Sequence, residues 1–197
     1  MKHCFVCLFL GALLGLGCAG PAASGASPGA AVKPVAAPAA APAANLDLSG
    51  RTGTPLSPFQ LKSVKGIPYR VQQHIGKDVI MISFWATWCG PCKEELSAMS
   101  PVYEELRDRG FVYLAVSTDG PETMSEVRSY VGSYGYEFPV LLDTKSTILD
   151  KFHPTGTLPF YLLVNRRGEI IEQHQGFSPG DEVKLRAKIL SLLGDAS

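Results

Sequence analysis

Two cysteines separated by two residues, Cys89-Gly90-Pro91-Cys92, have the type and spacing to do chemistry in this 197-residue chain; a second C-x-x-C, Cys4-Phe5-Val6-Cys7, lies in the first apolar stretch and is expected to leave with an export signal. A thiolate attacks a disulfide sulfur to give a mixed disulfide, and a second thiol close by can resolve it. Two intervening residues bring both sulfurs within bonding reach across one helical turn. The same spacing can be half of a zinc site, which needs four ligands. It can also be a structural bridge, which adds little stability when the loop it closes is this short. His74, His153 and His174 are scattered singly, and Cys4, Cys7 and Cys18 all fall at the start of the chain. Thiol–disulfide exchange is the favoured reading of the three.

Exchange needs an activated thiolate, so the flanking elements matter. Residues 78–85, Asp-Val-Ile-Met-Ile-Ser-Phe-Trp, are nearly continuous β-branched, apolar and aromatic side chains, as a strand buried on both faces requires. Pro91 then opens a helix, with Leu96, Met99, Tyr103 and Leu106 spaced by threes and fours as one apolar stripe. Pro101 is expected to kink this helix and Gly110 to end it. The junction puts Cys89 at a helix N-terminus, where unpaired N–H groups and a partial positive charge stabilise a thiolate. Gly90 permits the tight approach, and the missing N–H of Pro91 costs nothing there. Cys92 lies one turn deeper. Cys89 is therefore expected to be the exposed nucleophile and Cys92 the resolving thiol.

The remaining elements alternate. Residues 58–64 and 67–71 read as a hairpin, 111–117 as a second buried strand and 122–133 as a helix closing near Gly135. A short strand is expected at 138–142 and a short helix at 146–152. Residues 160–165 and 169–175 form a hairpin around Arg166-Arg167-Gly168, and a last helix runs over 179–193 with Ser178 as its N-cap. This order implies an α/β domain with a central mixed sheet and helices on both sides. The chain is 46% hydrophobic and 18% charged with zero net charge, enough for a core. No basic excess draws it to nucleic acid, and no acidic run suggests a tail for basic partners.

Ahead of this domain the sequence changes character. Lys2 and His3 precede an uncharged stretch over 4–17, which reads as an export signal and is shorter than the about 20 apolar residues a membrane span needs. It ends Leu14-Gly15-Leu16-Gly17-Cys18, which resembles the lipobox of bacterial lipoproteins and implies lipidation of Cys18. Gly15 stands where that motif usually has leucine, and cleavage by an ordinary signal peptidase is the alternative. Residues 19–44 are nearly all Ala, Pro, Gly and Ser, with prolines too frequent for a helix. They read as a tether reaching on the order of 80 Å at about 3.1 Å per residue. The expected division is thus 1–18 signal, 19–44 tether and 45–197 folded domain.

Residues 84–93, Phe-Trp-Ala-Thr-Trp-Cys-Gly-Pro-Cys-Lys, look like the active-site strand and helix of thioredoxins, and Trp88 to Cys92 is their full signature. Continuing through Glu94-Glu95-Leu96, the chain resembles the membrane-tethered TlpA/ResA-like branch, whose inserted strand and helix match the region from about 120 to 151. The resemblance covers about residues 47–193. It implies a thioredoxin-like fold with an N-terminal hairpin, and a redox-active Cys89–Cys92 disulfide with no other cofactor. Pro159, in Gly156-Thr157-Leu158-Pro159, would be the cis-proline beside that disulfide. Leu158, where threonine, valine or isoleucine is commoner, would offer backbone hydrogen bonds to a substrate chain. Trp88, Gly90 and Pro91 would line the same contact, with Trp85 and Trp88 packed around the site.

Glu95 matches the branch's acidic residue that moves protons at the buried sulfur; a first-turn glutamate favouring the helix dipole is the alternative. Ser83 stands where thioredoxins carry a buried aspartate, and Ser97 where they carry a bend-inducing proline. The function implied is a lipid-anchored, monomeric reductase of protein disulfides on the periplasmic side of the bacterial envelope. A membrane thiol carrier would supply its electrons, and apocytochrome c is the family's best-known client, in cytochrome c maturation. Gly-Pro between the cysteines favours reduction: thioredoxin, which shares it, lies near about −270 mV against about −120 mV for the oxidant DsbA. The rival readings are a disulfide oxidase or isomerase, a non-catalytic binding module, and a thiol peroxidase, whose Pro-x-x-x-Thr-x-x-Cys context is missing.

Overall fold

The computed structural model describes residues 53–194. The signal, the tether, Cys18 and the boundary at residue 45 lie outside the described residues. Within them the chain runs β1 (Thr54–Pro55), β2 (Gln60–Ser63), β3 (Pro68–Arg70), β4 (Val79–Trp85), α1 (Gly90–Leu106), β5 (Phe111–Ser117) and α2 (Met124–Tyr134). It continues with β6 (Val140–Leu142), α3 (Leu149–Phe152), β7 (Phe160–Val164), β8 (Glu169–Gln175) and α4 (Asp181–Gly194).

All eight strands join one sheet in the order β1-β8-β7-β4-β5-β6-β2-β3. The three strands β4, β5 and β6 run parallel, and the other pairings are antiparallel. This is the mixed sheet expected, and the thioredoxin-like arrangement. β4 sits at its centre with all seven residues buried. Side chains alternate between faces along a strand. Val79, Met81 and Trp85 of β4, Phe111, Tyr113 and Ala115 of β5, and Tyr161 and Leu163 of β7 therefore share one face with α1, α2 and α4. Ile80, Ile82 and Phe84, with Leu114, Val116, Phe160 and Leu162, share the other with Val71 and α3. Two cores on one sheet leave β4 no polar face.

Several boundaries differ from expectation for local reasons. α1 continues through Pro101 to Leu106, and Gly110 closes a following 3₁₀ turn at Arg107–Arg109 with φ of 90°. Such a left-handed residue costs glycine no steric strain. β6 is shorter than 138–142 because Pro139 has no N–H for the ladder; its carbonyl still accepts from Ala115 N–H at 3.0 Å. α3 begins only at Leu149, after Asp143 Oδ2 has accepted the N–H groups of Ile148 (2.8 Å) and Leu149 (3.0 Å). Ser178 is not the cap of α4: Gly180, at φ of 98°, intervenes, and Ser178 donates its own N–H to Asp181 Oδ2 at 2.9 Å. The two-residue strand β1 was not expected, and it pairs with β8. Among the described residues no helix is long and apolar enough to cross a membrane.

Candidate active site

β4 ends at Trp85, whose carbonyl accepts from Thr118 N–H at 2.9 Å, and residues 86–88 carry the chain into α1. A buried carboxylate clamps this turn. Asp119, 2% exposed, accepts from Thr87 N–H (3.0 Å to Oδ2), Thr87 Oγ1, Ser117 Oγ (2.9 Å) and Thr123 Oγ1 (3.3 Å). A carboxylate out of water persists only with such partners. Sequence reasoning missed Asp119; an acidic residue two positions past the end of a buried strand is the signal that was there to read.

Cys89 is the N-cap of α1, and its Sγ accepts from Cys92 N–H at 3.3 Å. Gly90 and Pro91 are the first helical residues, so the N–H that Pro91 lacks is one of the helix's unpaired donors. Cys89 and Cys92 are disulfide-bonded with Cα atoms 5.3 Å apart. Among the described residues no group of three or more His, Cys, Asp or Glu is placed to hold a metal ion. Cys89 is 5% and Cys92 1% exposed. The expected order of exposure holds, but Cys89 is far more enclosed than an exposed attacker. What stands open is its rim: Trp88, 73% exposed, with Gly90 and Pro91. Trp85 belongs to the core instead, its ring 5.5 Å from that of Tyr130.

Glu95 follows one helical turn after Cys92 and is fully buried. It lies beyond the first turn of α1, which holds no acidic residue, so the helix-dipole alternative fails. Its side chain meets the α1 face of the sheet, where Tyr113 donates its hydroxyl to Glu95 Oε1 at 3.2 Å. Burial pushes the Glu95 carboxyl up to about 7, and the hydroxyls of Ser83 and Tyr113 pull it partly back. Ser83 lies near the carboxyl without meeting hydrogen-bond geometry, and Glu95 Oε2 and Ser83 Oγ both lack a partner. Tyr113 was also missed, although a tyrosine in an apolar strand needs a partner for its hydroxyl.

Antiparallel pairing of Phe160 with Phe84 brings the residue before β7 to the cysteine end of β4. That residue is Pro159; it is buried, and the Leu158–Pro159 bond is cis. The Pro159 carbonyl accepts from Gly176 N–H at 2.8 Å, whereas the Leu158 N–H and carbonyl make no hydrogen bond among the described residues. On the other side of the motif an open groove of about 570 Å³ runs between Thr87 and Lys93 and the face of α2 carrying Ser125, Ser129, Tyr130 and Tyr134. The helix between β5 and β6 thus supplies one wall of a groove whose other wall is Thr87 and Lys93, the residues flanking the cysteine motif.

A model of the AhpC/TSA family matches residues 52–186. The chain belongs to the AhpC/TSA family. It is similar to the thiol-disulfide oxidoreductase ResA of Halalkalibacterium halodurans, 32% identical over 126 residues, which are 64% of this chain and 69% of that protein. ResA of Bacillus subtilis is 32% identical over 120 residues, 61% of this chain and 65% of that protein. The chain thus spans about two thirds of the length of these curated relatives. Among solved structures, a candidate thiol:disulfide interchange protein DsbE from Chlorobium tepidum superposes with a TM-score of 0.65 at 27% identity. That match covers 73% of this chain and 99% of the other. The peroxidase context would need proline at position 82 and threonine at 86, where Ile82 and Ala86 stand.

Proposed function

We propose that this thiol–disulfide oxidoreductase reduces protein disulfides outside the cytoplasm, held to a membrane through a lipid on Cys18. The observation that carries the reading is the Cys89–Cys92 disulfide at the start of α1, with a buried carboxyl one turn behind it and a cis-proline loop at the same sheet end. Reduced Cys89, capping the helix, attacks a client disulfide as the thiolate. Its sulfur bonds one client sulfur, and the other leaves as a thiolate that takes a proton from solvent. Cys92 then gives its proton to Glu95 and attacks Cys89. The Cys89–Cys92 bond forms, the client's second thiol departs, and two electrons have passed to the client. The pair carries those electrons itself, with no further cofactor. Leu158, Trp88, Gly90 and Pro91 would border the client chain. Fresh electrons would come from a membrane thiol carrier, and cytochrome c maturation is the pathway in which such a reductase has a place.

The direction follows from Gly-Pro between the cysteines, so the measured potential is expected nearer about −270 mV than about −120 mV. The decisive experiment is Cys92→Ser in the native host, where mixed disulfides are expected to accumulate through Cys89. Failure to trap any protein, with a potential near the upper value, would refute the reductase reading and favour an oxidase or isomerase.

A further inference from the structure

Glu95 leaves α1 for the one sheet face where polar side chains gather. Facing it are Ser83 of β4, Tyr113 of β5 and Tyr161 of β7, and Cys92 shares its helix. Tyr161 is committed elsewhere: its hydroxyl donates to Glu172 Oε1 at 2.8 Å. Ser83 Oγ makes no hydrogen bond. Ser83 lies close enough to lower the acid's pKa, but Tyr113 is the hydroxyl that meets hydrogen-bond geometry with Glu95, at 3.2 Å to Oε1. Both residues are fully enclosed, and in so dry a site a single donor weighs heavily.

We propose that Tyr113 is the positioning residue of the buried acid: its hydroxyl holds Glu95 Oε1 and leaves Oε2 as the oxygen that takes the proton from Cys92. This rests on the reading above, in which Glu95 serves Cys92. A phenol has one proton to give. While it is given to Oε1, that oxygen is an acceptor in both charge states of the acid, and the exchangeable proton belongs on Oε2. Oε2 is also the oxygen without a partner. Burial and the adjacent carboxylate hold the Tyr113 hydroxyl well above 10, so it remains a donor throughout the working pH range. In the step itself the Cys92 S–H bond breaks and the Glu95 Oε2–H bond forms. The sulfur's electron pair then makes the bond to Cys89 as the Cys89–client bond breaks, and the client leaves as a thiolate that solvent protonates. No outside oxidant or reductant enters.

The donor also favours the charged form of Glu95. Removing it should raise the pKa by about one unit, since hydrogen bonds to charged groups are the stronger kind. The test is Tyr113→Phe in the full chain, with the Glu95 carboxyl followed by carbon NMR in the oxidised protein. Resolution of the transient mixed disulfide with a cysteine peptide, Cys92 being intact, is followed against pH in parallel by rapid mixing. The carboxyl midpoint and the acid limb of the rate profile should move up together, and the rate shift should vanish in a Glu95→Gln background. An unmoved Glu95 midpoint, or an equal rate shift without Glu95, overturns the proposal. A moved midpoint with rates indifferent to both residues upholds the positioning and overturns the proton-transfer role beneath it. Should Tyr113→Phe not fold, the wild-type Tyr113 ring carbon bearing the hydroxyl still decides. It should titrate with the Glu95 midpoint, and a flat signal from about pH 5 to about pH 9 overturns the inference.

Discussion

Glu95→Gln keeps the shape of the buried side chain and removes its charge, so it isolates what that carboxyl contributes to stability. In the fold its pKa is pushed from 4.5 to about 7, chiefly by burial. One pKa unit corresponds to about 1.4 kcal/mol between protonation states, so the difference amounts to about 3 kcal/mol. The folded-state value is the higher one, so the native protein holds this proton more tightly than the unfolded chain does. Stability from this site is therefore complete below the unfolded value and declines as pH rises, until the folded carboxyl has ionised near 7. Glutamine does not titrate. The two proteins should differ by a constant small amount near pH 4, and the variant should gain on the wild type by up to about 3 kcal/mol as pH rises to 8. Guanidinium unfolding of the oxidised forms at several pH values measures this directly. A difference that stays constant from pH 4 to pH 8 would refute the reasoning. The more stable variant should also be the poorer enzyme, because an amide cannot accept the Cys92 proton, and strained or costly groups persist where function needs them.

Asp119→Ala removes the acceptor of Thr87 N–H and of three hydroxyls in a buried turn, and should lower unfolding free energy by about 2–4 kcal/mol in a urea titration; a loss below about 0.5 kcal/mol would show that the clamp is not needed. Trp88→Ala should leave the melting temperature within a few degrees, since the ring is 73% exposed, while mixed-disulfide formation with a protein client slows several-fold; unchanged rates would remove Trp88 from the client contact.

The parts of the fold that could be read from the chain are those specified locally. The apolar run of β4, the Pro91 start of α1 and the stripe of Leu96, Met99 and Leu106 each carry their own pattern, and each formed where that pattern lies. The cysteine pair and the position of Pro159 came from short motifs of the same local kind. What could not be read depends on contacts between distant segments. The hairpin of β2 and β3 joins the sheet by pairing with β6, about eighty residues later, and nothing in its own residues names that partner. β1 exists because β8 offers it an edge. Asp119 looks like an ordinary loop aspartate until Thr87, thirty-two positions earlier, is folded against it. Ser178 does not cap α4 because Gly180 diverts the backbone immediately before the helix begins.

The placement of Glu95 separates two properties that a strand-borne acid would bind together. Its distance from Cys92 is set within α1, by one hydrogen-bonded helical turn, so the acid travels with the cysteines whenever the helix shifts. Its charge is set by the sheet, through burial, the nearby Ser83 hydroxyl and the hydrogen bond from Tyr113. On the reading in which Glu95 takes the Cys92 proton, changes in β5 would retune the pH of that step without altering the spacing of the two residues along α1. Changes in α1 cannot do one without the other. Ser83 sharpens the point: a carboxylate on β4 at that position would stand close to Glu95, and two such groups in one dry pocket cannot both ionise near neutrality. A small neutral side chain on β4 is what lets the helix carry the acid.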